Sequence, residues 1–126
     1  MEMILHYPHY FATAFLICEA YHDEYISDDQ INMIKHMPLW FTYAKTDQVA
    51  DYTICTIPTV KRLLHAGASD VHVSVFGDVH DTTGFYKNED DSPYTYNGHC
   101  SWNYWDDNEC CDGDLNVWEW LGQQGN

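Results

Sequence analysis

Three apolar runs of strand length set the frame of this chain: Ala12–Cys18 (ATAFLIC), Leu39–Ala44 (LWFTYA) and Val71–Phe76 (VHVSVF). The first two are almost unbroken, and the third is rich in β-branched residues. Strands of this kind are buried on both faces, as in a parallel sheet covered by helices. The intervening segments agree. Asp28 or Asp29 is placed to cap a short helix through Lys35, which Pro38 prevents from continuing. Thr53–Ala66 has helical spacing at Ile57, Val60, Leu63 and Leu64, with Gly67 where a C-cap glycine belongs. Pro58 within it predicts that the regular helix begins nearby, at Ile57. Gly77–Asn97 reads as a polar, turn-rich loop. Asp114–Gln124 reads as a last helix, capped by Asp114 and striped with Leu115, Trp118 and Leu121. The order strand, helix, strand, helix, strand, loop, helix predicts an α/β fold with about three parallel strands and flanking helices, part of a doubly wound sheet.

At 126 residues the chain is one domain or a portion of one. Five Lys and Arg against twenty Asp and Glu give a formal charge of −15, which argues against nucleic-acid binding and against an anionic membrane surface. Hydrophobic content of 45% and aromatic content of 16% argue against disorder. No apolar run approaches the ~18 residues of a membrane span, and no secretory leader opens the chain, so localisation stays open. The five cysteines, Cys18, Cys55, Cys100, Cys110 and Cys111, are too few and too irregular for a disulfide scaffold. Met1–Tyr7 is apolar and lacks an N-cap before Pro8. Either it is a frayed terminus, or its helix begins upstream.

In parallel α/β sheets, chemistry collects beyond the carboxyl ends of the strands. That rule selects Glu19, Asp47 and the loop from Gly77 to Ser101. Asp47, three residues past the second run, can accept a hydrogen bond from an imidazole, and is equally suited to an Asx turn or a helix cap. His99 lies in Asn97-Gly98-His99-Cys100-Ser101-Trp102, where Gly98 permits a tight turn and Trp102 can pack behind the ring. His80 is its rival, directly after the third strand. An aspartate followed by a histidine, both beyond strand ends, suits the acid and base of a Ser–Asp–His triad. Tyr96 and Trp102 flank His99 as candidates for a substrate wall, whereas Trp105, Trp118 and Trp120 are better read as core.

Three segments, MILHYPHYFATAFLICEAY, PLWFTYAKTDQV and HDTTGFYKNEDDSPYTYNGHCSW, with the terminal VWEWLGQQ, carry a resemblance. Together they resemble the C-terminal half of an α/β-hydrolase of the bacterial prolyl-oligopeptidase-like or esterase-like branch. The resemblance implies that residues 1–126 form a partial hydrolase domain. It makes Asp47 the triad acid and His99 the triad base, and reduces His80 to a loop residue. Relatives tend to carry a bulky aromatic where this chain has Cys100. The resemblance further implies an ester or peptide substrate for the intact parent, with no cofactor and no metal. Ser27, Ser69, Ser74, Ser92 and Ser101 all lie outside any G-x-S-x-G pattern. The nucleophile and the oxyanion hole are therefore expected in an N-terminal half preceding Met1.

Other readings compete. Asn108–Glu119 partly fits a calcium-binding EF-hand loop, with Asp112, Gly113 and Glu119 at its fifth, sixth and twelfth positions. An acidic turn before the last helix explains the same residues. Cys100, Cys110 and Cys111 with His99 are a poor thiolate set, lacking any C-x-x-C pair, and a Cys100–His99 nucleophile pair asks adjacent residues to face each other. Glu89–Asp114 holds eight of the twenty acidic residues and no Lys or Arg, as expected of a solvated face. A non-catalytic domain that keeps the hydrolase architecture for binding is the second functional class.

Overall fold

The computed structural model describes residues 1–125. Its centre is a parallel sheet in the order β1 (Ala14–Ile17), β2 (Leu39–Ala44) and β3 (Val71–Phe76). Ala14 pairs with Leu39, and Leu39 in turn with Val71, so the strands run in register from their first residues. All six residues of β2 are buried. The two-residue period of a strand sends Leu39 and Phe41 to one face and Trp40 and Ala44 to the other. On the first face they join Ile4 and Leu5 of α1 (Glu2–His6), Ile31 and Ile34 of α2 (Asp28–Ile34), and Leu63 of α3 (Thr56–His65). On the second face Trp40 and Ala44 pack with Val79, Tyr104, Cys110, Val117 and Trp120. Both faces are covered, as the apolar runs require. No described helix is long and apolar enough to cross a membrane.

The helix ends correct the sequence reading in two places. Neither Asp28 nor Asp29 caps α2. Ser27 does, through a capping box in which its hydroxyl accepts the Gln30 N–H at 3.2 Å and Gln30 Oε1 accepts the Ser27 N–H at 2.9 Å. The aspartates then lie in the first turn, where the helix dipole favours negative charge, and Asp28 takes Arg62 at 2.7 Å. Asp114 is not a cap either. It sits in the turn of a hairpin between β6 (Cys111–Asp112) and β7 (Leu115–Asn116), with Gly113 at φ +59°. The last helix, α5 (Val117–Gly122), starts later than expected and is capped by Asn116, whose side chain accepts the Trp118 N–H at 2.8 Å.

Elsewhere the reading needs only shorter bounds or additions. Pro58 falls in the first turn of α3, where its missing N–H has no intrahelical partner to lose. Gly67, at φ +95°, ends that helix in a Schellman motif: its N–H bonds Leu64 O, and the Ala68 N–H bonds Leu63 O. β1 is shorter than Ala12–Cys18, because Cys18 turns to φ +43° and leaves the strand. The Gly77–Asn97 loop carries a small antiparallel pair, β4 (Val79–His80) with β5 (Thr95–Tyr96), and a further helix, α4 (Trp102–Asp106), follows His99.

Candidate active site

Asp47 leaves the carboxyl end of β2 on a tight turn, its N–H bonded to Ala44 O at 3.1 Å. Its two carboxylate oxygens do different work. Oδ1 accepts the N–H groups of Val49 at 2.8 Å and Ala50 at 2.9 Å, which is the Asx-type role available to any loop aspartate. Oδ2 accepts His99 Nδ1 at 2.9 Å across 52 positions of sequence. The carboxylate side chain is fully buried, whereas the imidazole is 30% exposed. Burial pushes the Asp47 carboxyl upward, but the Ala50 N–H, His99 and the Val49 N–H together hold it below its ordinary value. A carboxylate only accepts, so the ring proton toward it sits on Nδ1, and Nε2 has no hydrogen-bond partner among the described residues.

Gly98 fixes this approach. A Cβ there would lie 2.3 Å from the Thr46 carbonyl carbon and 2.4 Å from its oxygen. The loop bearing His99 therefore rests directly on the turn bearing Asp47, and a side chain at 98 would separate them. The Asn97 carboxamide oxygen also accepts the His99 N–H at 2.9 Å. Trp102 meets the imidazole edge-on, with centroids 6.0 Å apart at 87°. Tyr96 is turned elsewhere: β5 directs it to the Trp40–Trp120 cluster, where its ring neighbours Tyr94. His80 pairs with Asp78 at 2.8 Å and with the Tyr104 hydroxyl at 3.1 Å, away from Asp47.

Among the described residues no hydroxyl or thiol hydrogen-bonds His99 Nε2. Ser27 caps α2, and Ser74 is buried between Trp40 Nε1 and Cys111 O. Ser101 is buried with no partner for its hydroxyl. Cys18 lies at the same edge, but burial, reinforced by the Asp47 charge, pushes its thiol up to about 11, the opposite of an activated nucleophile. The Asn108–Glu119 segment forms the β6–β7 hairpin, with Asp112 bonded to His72 at 2.8 Å. No group of three or more His, Cys, Asp or Glu among the described residues is arranged to hold a metal ion. Sequence reasoning named Glu19 only by its position. Its burial, with one oxygen unpartnered, has no local sequence signal.

No family model matches the chain, and no curated protein matches it by sequence. Among solved structures it is similar to that of a thermostable esterase, with a TM-score of 0.65 and 24% identity. The match covers 98% of this chain and 27% of the esterase chain. The likeness is one of fold: an α/β arrangement with a three-stranded parallel sheet flanked by helices.

Proposed function

We propose that residues 1–126 are the C-terminal part of a serine-hydrolase domain of the prolyl-oligopeptidase-like or esterase-like kind, with Asp47 as triad acid and His99 as triad base. The observation that carries this reading is the 2.9 Å Asp47–His99 bond at the carboxyl edge of the sheet, on a fold shared with an esterase. A buried, multiply bonded carboxylate holds the ring in one tautomer and leaves Nε2 without a hydrogen-bond partner among the described residues. In the intact enzyme Nε2 takes the proton of a serine hydroxyl as that oxygen attacks an ester or amide carbonyl. The imidazolium, stabilised by Asp47, then gives the proton to the leaving group. Water repeats the cycle to release the acyl group. The serine and the oxyanion donors belong to a preceding half of the domain, which is the partner this chain requires.

A fluorophosphonate probe tests the reading on the chain joined to an N-terminal half carrying an elbow serine. Labelling that depends on His99 is expected, because only an activated serine reacts. Absence of labelling in a folded protein would favour the alternative, a binding domain that keeps the architecture without the chemistry.

A further inference from the structure

Of the seven asparagines in the chain, Asn97 alone is followed by glycine, and that pair directly precedes His99. Asn97 is exposed. Its carboxamide oxygen accepts the His99 N–H at 2.9 Å, and its main-chain oxygen accepts the Cys100 N–H, also at 2.9 Å. An amide donor on the side-chain carbonyl draws electron density from Cγ. It stands where negative charge collects when a nucleophile adds there. The nucleophile at hand is the next backbone nitrogen, which closes a five-membered ring. The Gly98 N–H donates no hydrogen bond among the described residues, and glycine has no Cβ to shield the nitrogen.

We propose that Asn97 is a site of spontaneous covalent modification, cyclising with Gly98 and reopening as aspartate or isoaspartate, and that the isoaspartyl form uncouples His99 from Asp47. A base in the solvent takes the Gly98 amide proton, and the nitrogen attacks Asn97 Cγ. A C–N bond forms, the Cγ–Nδ2 bond breaks, and Nδ2 leaves as ammonia after taking a proton back from solvent. The product is a succinimide, and water then adds to one of its two carbonyl carbons. Cleavage at Cγ gives aspartate. Cleavage at the former main-chain carbonyl gives isoaspartate, in which the chain runs through Cβ and Cγ. Either product adds one negative charge to the −15 of the chain. Isoaspartate also lengthens the backbone by one carbon, about 1.5 Å. The oxygen that held Cys100 becomes part of a free carboxylate. Gly98 lies against the Thr46 backbone, so the loop cannot take up the extra length by moving inward. It moves out and carries His99 away from Asp47. Loss of a catalytic base by this route rests on the hydrolase reading. The modification itself does not.

The test is a time course of the 126-residue chain at alkaline pH, folded and unfolded in guanidinium. Trypsin cleaves after Lys87 and releases residues 88–126, whose fragmentation locates each converted asparagine. Enzymic methylation counts the isoaspartate. Conversion is expected at Asn97 ahead of Asn88, Asn103, Asn108 and Asn116, at least as fast in the folded chain as in the unfolded one. The downfield Nδ1 proton resonance of His99 should disappear in proportion to the isoaspartate formed. Asn97→Asp adds the same charge without lengthening the chain and should keep that resonance. Asn97→Gln must close a larger ring and should slow conversion roughly tenfold or more. Slower conversion in the folded chain, or a resonance that survives in the isoaspartyl form, would overturn the proposal. Should either variant fail to fold, the unsubstituted chain decides both points. No ester is turned over in this readout, so a failed hydrolase reading and a failed modification site give different results.

Discussion

Asp47 divides its two oxygens between holding its own turn and holding His99, and each half of that division can be tested. Its carboxyl titrates below the ordinary value in the folded state. The stability it contributes is therefore complete above the unfolded value of about 3.9 and is lost as pH falls through the folded one. Urea titrations from pH 6 down to pH 2.5 should show this loss, and Asp47→Asn should flatten it. Glu19 has the opposite sign. Its raised carboxyl destabilises the fold at neutral pH, and the penalty fades as acid protonates it. Glu19→Gln should thus raise stability at pH 7 by roughly 1 kcal/mol, with the gain shrinking toward pH 4; a lower melting temperature at pH 7 would contradict the account. Gly98 is a third residue-scale test, because Gly98→Ala drives a methyl group into the Thr46 backbone. The loop must shift, at a cost of roughly 1–3 kcal/mol, and the downfield Nδ1 proton resonance of His99 should disappear.

The elements show why some of this structure is readable in the sequence and some is not. β2 is legible because all six of its residues are buried, so Thr42 is the one polar residue in an otherwise apolar and aromatic run. Gly67 is legible because a left-handed helix end has few occupants other than glycine. Caps are less so: Ser27, Asp28 and Asp29 are all good cap residues in succession, and only the reciprocal bond with Gln30 selects Ser27. Strands of two residues, such as β4 and β5, have no period to detect. Asp47 and His99 can be assigned to one edge because both follow strands of a parallel sheet. The need for glycine at 98 comes instead from Thr46, far away in sequence. Tyr96 neighbours His99 in sequence but is carried by β5 into the second core cluster, where adjacency says nothing about direction. That cluster is held by Trp40, fully buried, with Nε1 on Ser74 Oγ at 2.9 Å and its ring against His72 and Trp120. Trp40→Ala should cost about 3–5 kcal/mol by urea denaturation, enough to unfold a marginal domain, whereas Trp40→Phe should cost much less.

At the scale of the molecule, β1 has one neighbour, β2, and its other edge has no strand partner among the described residues. An open edge beside apolar surface favours association. The net charge of −15 opposes it, so self-association of the chain should rise with salt as repulsion is screened. Light scattering coupled to size exclusion can follow this, and a monodisperse monomer at every salt concentration would contradict it. In the hydrolase reading that same edge receives the strand carrying the serine, and the isolated chain should not hydrolyse p-nitrophenyl esters above background. The most direct test of the central claim is ester turnover by the chain joined to an N-terminal half bearing the elbow serine, compared with its His99→Ala, Asp47→Asn and His80→Ala variants. The account predicts that His99→Ala removes nearly all turnover and that Asp47→Asn lowers it by roughly 10⁴-fold through the wrong tautomer. His80→Ala, whose ring is held by Asp78 and Tyr104, should change little. Turnover that survives His99→Ala but is lost in His80→Ala would show that the base is not His99.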